Sequence, residues 1–388
     1  MNLFPNRRQV ARSALFGGAA ALLTPDMTAA STEASAQTQL DARPFGAKGD
    51  GKTDDTAALQ KALDAAGAVG GAVVLSPGVY VTGELHLRER TALAGTPAWR
   101  YSSSGGSTLR LASADAFCLL NLTEAYGATV DGISLEGGDL GKGVHGLATR
   151  REKWGEHEDC FRIERCQVAK FTGDGAHLEC AWCFSVRSCE FYGNKGDGLM
   201  LRGWDGFLMD NWFSGNGRAG FAARQQNASV TFTANRIEWN GEENMLIDSG
   251  DGYQITGNFF DRAGTIGLAI RSGRNPASQI TVTGNYFKRS GKNAVGMPLN
   301  SANLLLDGAA GVACVGNSFH SGRDDGPHGA WSPAYGIIYQ GLRNTVIRNN
   351  VLHDGAVEHL FLDQGGHKEG VLVSDNPGSL FTDFNRKW

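Results

Sequence analysis

Short apolar runs along the chain end again and again on a polar residue. In chain order the endings are Arg150, Glu179, Arg202, Arg224, Asp248, Arg271, Asp307, Gln340 and Asp363. If these runs are strands, apolar residues such as Leu199 and Leu201, or Leu268 and Ile270, point inward. The last residue of each run then points outward, and the endings form one column. Arg202 and Arg224 would be neighbours in it, where like charges repel. A local violation of that kind marks a place that binds opposite charge.

Two chemistries fit the column. In the first, Arg150, Arg202 and Arg224 hold and neutralise a carboxylate on a sugar, which acidifies the adjacent C5–H. His177, outward on the same strand as Glu179, is the ordinary choice of base. β-Elimination or epimerisation would follow. In the second, Asp248 and Asp307 hydrolyse a glycosidic bond, with Arg271 between them biasing their pKa values. They would lie two coils apart, about 9–10 Å, near the upper end of the inverting range. Gln340 and Asp363 extend the line for substrate binding. Trp182 and Trp204, with Trp154 nearby, offer aromatic faces to sugar rings. Glu242 and Glu243 are spare acids. No two column carboxylates fall on adjacent coils, so a calcium cluster is not supported, and neither a metal nor a cofactor is expected. The plain alternative is a solvated charge ladder, whose pairs contribute little at a surface.

The elements that would position this column form one long repeat. A phrase of alternating apolar residues, then Asn, any residue and an apolar one, recurs as ITGNFF, VTGNYF, CVGNSF and LMDNWF. Its anchors are Cys166, Cys189, Asn211, Asn235, Asn258, Asn285, Asn317, Asn350 and Asn376, spaced by 22 to 33 residues. Several short strands per such period, separated by Gly and Asn, predict a parallel β-solenoid. The recurring Asn predicts an amide ladder at one corner, with Cys166 and Cys189 as small buried substitutes. Insertions fall beside the column at 288–302 and 320–334, the second carrying Arg323, Asp324, Asp325, His328 and Trp331. Loops beside a rigid face build grooves.

Residues 37–72 read as an N-terminal cap. The Asp54-Asp55-Thr56 segment precedes a run of helical periodicity, and Gly67 or Gly70 would end the helix. Residues 377–388 read as a tail over the other end. The chain is 388 residues long with 54 Gly, only 10 Pro and a net charge of −4. That composition supplies a large core with many turns and argues against a nucleic-acid binder.

Residues 1–36 read as an export signal. Arg7-Arg8 precedes a short apolar run from Ala14 to Leu23, too short to span a bilayer, and Ala34-Ser35-Ala36 supplies a cleavage site. The paired arginines resemble a twin-arginine signal, so the mature domain, 37–388, is expected in the periplasm or outside the cell. Seven cysteines, an odd number, argue against a full disulfide framework. Cys180 and Cys183 leave open a local disulfide or packed thiols.

The stretch from Pro44 through Gly-Asp-Gly-Lys-Thr-Asp-Asp-Thr to Leu63, followed by the Gly70-to-Tyr80 segment, resembles the opening of pectate-lyase-superfamily proteins. That group includes polygalacturonase-like hydrolases, pectate-lyase-like enzymes and phage tailspikes. The resemblance implies an all-β fold, a right-handed parallel β-helix with an N-terminal capping helix. It does not fix the activity. The polygalacturonase motifs are missing in register, and Glu158-Asp159-Cys160 is only a faint echo, so that family's catalytic residues do not carry over. The Asp50, Asp54 and Asp55 cluster reads as part of the cap. The expectation is an exported enzyme that cleaves a uronate-containing polysaccharide or oligosaccharide in a lateral groove by β-elimination. The hydrolase at Asp248 and Asp307, and a non-catalytic glycan-binding or structural solenoid, stand beside it. Neither a membrane span nor a nucleic-acid partner is expected. A homotrimer is the assembly that stacked coils would allow.

Overall fold

The computed structural model describes residues 38–97, 106–292, 294, 296–322 and 332–383. Residues 1–37, which hold the expected export signal, the last five residues, and Arg323, Asp324, Asp325, His328 and Trp331 lie outside them.

Each turn of the chain lays strands on three faces. The first face carries the column. Its strands include His145–Thr149, Met245–Asp248, Ile266–Arg271, Ala302–Asp307 and Tyr335–Gln340. The second runs from Gln39–Asp41 through Arg162–Glu164 to Val371–Ser374. The third, from Asp50–Asp54 to Ser318–His320, is a separate 11-stranded sheet. The first two merge into one 24-stranded sheet because Ala176–Arg187 and Leu199–Met209 run unbroken from one face onto the next. Neighbouring strands pair in parallel, coil on coil. This is the parallel β-solenoid that the repeat predicted, and the right-handed parallel β-helix that the resemblance implied.

Alternation along the strands sets the core. Leu199, Leu201, Met245, Ile247, Leu268, Ile270, Leu304 and Leu306 are all fully buried between the faces. Phenylalanines stack from coil to coil behind them. Phe260, Phe287 and Phe319 follow one another at 4.7 Å between centroids, with their ring planes nearly parallel. Side chains repeated at one strand spacing leave few gaps, so each coil is packed by the next.

The amide ladder stands where the anchors predicted. Asn211 donates from Nδ2 to Asn235 Oδ1 at 3.0 Å, and the relay continues through Asn258, Asn285, Asn317 and Asn350 to Asn376. Cys189 and Cys166 extend it as buried thiols. The Cys189 N–H donates to Asn211 Oδ1 at 3.0 Å, and the Cys166 N–H to Cys189 Sγ at 3.5 Å. A second ladder, Asn194, Asn216 and Asn240, runs at another corner and ends on Asn244. Glycine stands where several coils enter the first face, while Asn244 and Asn303 take that place on two others. A Cβ on Gly198 would lie 2.4 Å from the carbonyl oxygen of Gly220 on the next coil.

The N-terminal cap is the helix α1 (Thr56–Val69), with Leu59, Ala62, Leu63 and Ala66 buried against the first coil. Gly70, not Gly67, ends it, in the left-handed conformation at φ 63. Asp55 holds the N-cap position but makes no side-chain cap. Its carboxylate instead accepts from the Lys48 and Gly49 N–H groups. Asp54 bonds Thr56, and Asp50 bonds Lys52 and Thr53, so this acidic cluster is structural. At the far end Phe381 is buried and its N–H donates to Ala356 O at 2.8 Å. Among the described residues no helix is long and apolar enough to cross a membrane.

Candidate active site

The column exists through most of its length. Glu179 pairs with Arg202, Asp248 with Arg271, Arg271 with Asp307, and Asp307 with Gln340. Arg150 and Arg224 continue the strands in the same register. Asp363 does not belong to it. It takes the register of Tyr339, an inward position, and stays exposed because it ends the last strand of this face. There it accepts from His367 Nε2 at 2.8 Å. Counting from Asn350 misplaced it, since the last strand slips by one residue against its neighbour.

The stacked arginines do not face each other unrelieved. Arg202 turns to Glu179, 3.0 Å away, and also donates to Gln226. Arg224 turns to Asp197, 3.1 Å away, a fully buried carboxylate. Burial raises the Asp197 pKa, while Arg224 opposes the shift. Arg271 does not bridge Asp248 and Asp307. It pairs with Glu243 at 3.0 Å, while Asp248 accepts from the Ser249 hydroxyl and Asp307 from Gln340.

Outward positions two residues before the column are apolar. Ala222, Leu246, Ala269, Leu305 and Ile338 form a second hydrophobic cluster on the outside of the barrel. Leu246, Leu305 and Ile338 floor a groove of about 690 Å³, and Arg224, Glu243, Arg271 and Asp307 stand along it. An apolar floor between charged rims suits the C–H face of a sugar ring.

Two coils before Arg224, the column strands build a more ordered constellation. His177 Nδ1 meets Asp174 Oδ2 at 2.8 Å, which leaves Nε2 pointing away from Asp174, 3.7 Å from Glu179 Oε1. His145, one coil earlier, stacks on His177 with ring centroids 4.2 Å apart. The Asp174 N–H donates to His145 Nδ1 at 2.9 Å, so a neutral His145 carries its proton on Nε2. Phe117 packs edge-on against both rings. Arg150 lies one coil before His177 and Arg202 one coil after it. The Arg150 guanidinium sits 4.9 Å from the Phe117 ring centroid and has no acidic partner among the described residues.

Burial, and then the neighbouring His177, push the His145 pKa down to about 4. Hydrogen bonding from His177 and the charge of His145 outweigh burial at Asp174, whose pKa is lowered. The unfolded chain binds a proton at His145 near pH 6.5, whereas the folded chain does not until about pH 4. Acidification through that window therefore favours unfolding, by about 3 kcal/mol at its end. His177, Asp174 and Phe117 face His145 there. Stability measured from pH 7 to pH 4 should fall, and His145→Gln should flatten the fall. An unchanged slope in the variant would contradict the assignment.

Donor types alone would let His145, Asp174 and His177 ligate a metal, since their ligand atoms lie within 4.8 Å of one another. The hydrogen bonds argue otherwise. The His145 Nδ1 lone pair is taken by a backbone N–H, and Asp174 Oδ2 is taken by His177.

The predicted tryptophans come together, but their faces are partly spent on each other. Trp204 stacks on Trp154 at 3.6 Å, and Trp182 meets Trp204 edge-on at 6.3 Å. Cys180 and Cys183 are free thiols. His145 and Asp174 were not legible as site residues. The one available signal was their place where a column strand begins, in the GVHG and DGAH segments.

The fold is that of a right-handed parallel β-helix protein, with a groove along one face. Residues 153–310 match the family model for a right handed beta helix region, and residues 40–115 match the one for rhamnogalacturonase A/epimerase, pectate lyase-like. Among solved structures, the A-module of an Azotobacter vinelandii mannuronan C-5 epimerase is similar, with a TM-score of 0.66 and 21% identity, covering 87% of this chain and 99% of that one. A DFA-IIIase from Arthrobacter chlorophenolicus A6 has a TM-score of 0.61 at 14% identity, covering 88% and 94%. An exopolygalacturonase from Thermotoga maritima has a TM-score of 0.54 at 12% identity, covering 87% and 92%. Likeness at these identities speaks for the fold.

Proposed function

We propose that the chain is a carbohydrate-active enzyme that cleaves a uronate-containing polysaccharide by β-elimination at His177. One observation carries the reading. His177 is held by Asp174 through Nδ1, and its Nε2 is presented on the outer face between the coils of Arg150 and Arg202. In this account a substrate carboxylate is held by Arg150, with Arg202 on the other side. Neutralising it lowers the C5–H pKa, because the carbanion delocalises into the carboxyl group. His177 Nε2 removes the proton. Asp174 fixes the tautomer and orientation of His177 and stabilises the imidazolium that forms, as a carboxylate does behind any catalytic imidazole. The groove farther down the column, with its apolar floor, receives the rest of the chain. The mannuronan C-5 epimerase and the exopolygalacturonase of similar fold support an action on polysaccharide.

The hydrolase reading at Asp248 and Asp307 has less support, because Arg271 is drawn away to Glu243 and only Asp307 of the two lines the groove. Export through a twin-arginine signal, with action in the periplasm or outside the cell, belongs to the same proposal, as does a homotrimeric assembly.

A uronan and its carboxyl-reduced counterpart test the carboxylate's part. New chain ends should appear only with the uronan. Equal cleavage of the neutral polymer would remove the arginines from the mechanism.

A further inference from the structure

Resting on that reading, we infer that the substrate uronate has its C5–H and its C4–O on the same side of the ring, as in gluco- and manno-configured uronates. Both histidines turn Nδ1 toward Asp174. His177 does so at 2.8 Å from Oδ2, and His145 at 2.9 Å from the backbone nitrogen. The two Nε2 atoms therefore point away from Asp174 together. The rings are stacked at 4.2 Å, tilted by 33°. Both groups rise from adjacent strands of one face, Ala148 of one coil pairing with His177 of the next. A sugar lying on that wall meets them with one side of its ring only.

The step balances on that single wall. His177 Nε2 takes the C5 proton. The C4=C5 double bond forms as the C4–O bond breaks. The imidazolium of His177 returns the proton to the departing oxygen, which becomes the hydroxyl of a new chain end. No outside acid or oxidant is consumed. His145 remains neutral and donates its Nε2–H to the same departing oxygen, as a neutral imidazole acts elsewhere as an electrophile. The Asp174 N–H holds it in that tautomer, and Phe117 packs against the ring. A galacto- or guluronate presents C5–H and C4–O on opposite sides. It would need an acid across the groove, where this wall cannot reach.

Four uronans decide the matter: a glucuronan and a polymannuronate with the cis relation, a polygalacturonate and a polyguluronate with the trans relation. Ultraviolet absorbance of unsaturated uronate is followed in each. Absorbance from a cis polymer, with rates on both trans polymers at least a hundredfold lower, is the expected result. Comparable or faster rates on a trans polymer would overturn the inference and leave elimination standing. No absorbance from any of the four would overturn elimination itself, and the inference with it. His145→Gln, which keeps an acceptor for the Asp174 N–H, should lower kcat tenfold or more with little change in KM, since its donor bond strengthens only as C4–O breaks. An unchanged kcat would remove His145 from the step.

Discussion

Replacing His177 by glutamine should lower kcat by about a hundred- to ten-thousandfold, the usual worth of a positioned general base. The fold should survive. Glutamine still donates to Asp174 Oδ2, and His177 sits on the outer face with 21% of its side chain exposed. Removing it leaves no cavity in the core. Thermal melting of the variant beside its turnover separates the two effects. A variant with lost stability and lost activity together would leave His177 as packing. A variant with full activity would take it out of the mechanism. Arg202→Ala should weaken turnover too, but less cleanly, because it also strips Glu179 of its partner at 3.0 Å.

The second large effect is on stability. Asn258→Ala should destabilise the chain by about 3–5 kcal/mol. Asn258 donates to Phe232 O at 2.9 Å and to Asn285 Oδ1 at 3.0 Å. It accepts from both the N–H and the Nδ2 of Asn235. Alanine leaves the backbone N–H of Asn235 and one of its two Nδ2 hydrogens without acceptors in a site shut off from water, and takes a donor from the Phe232 carbonyl. Each such orphan costs about 1–3 kcal/mol, less what relaxation recovers. Chemical denaturation reads the change directly. A loss below about 1 kcal/mol would mean that the ladder only decorates coils held by their apolar core.

The fold was readable because a solenoid writes its period into the chain. Asn211 to Asn376 recur at the spacing of a coil, and one anchor per coil fixes the register of everything between. The column from Arg150 to Gln340 followed from that register and from strand alternation. Asp363 failed because its strand slips by one residue relative to Tyr335–Gln340, and a one-residue slip turns a side chain to the other face. The candidate site was half legible. His177 and Glu179 lie on a strand, where alternation gives direction. His145 and Asp174 lie where strands begin, and nothing periodic marks them. Their value comes from a contact between coils about thirty residues apart. The partners of Arg224 and Arg271 were hidden for the same reason. Asp197 and Glu243 sit at turns, and a column read from strand ends passes over them. The apolar outer stripe at Leu246, Leu305 and Ile338 was visible as hydrophobic residues in strands already counted as apolar.

The most direct test of elimination at His177 follows two signals in one reaction: ultraviolet absorbance of unsaturated uronate, and new reducing ends. With a uronan that the protein cleaves, the two should rise together in equal amounts, and both should vanish in His177→Gln. Reducing ends without absorbance, surviving in His177→Gln and lost in Asp307→Asn, would contradict the account and move the chemistry to the acids of the lower groove.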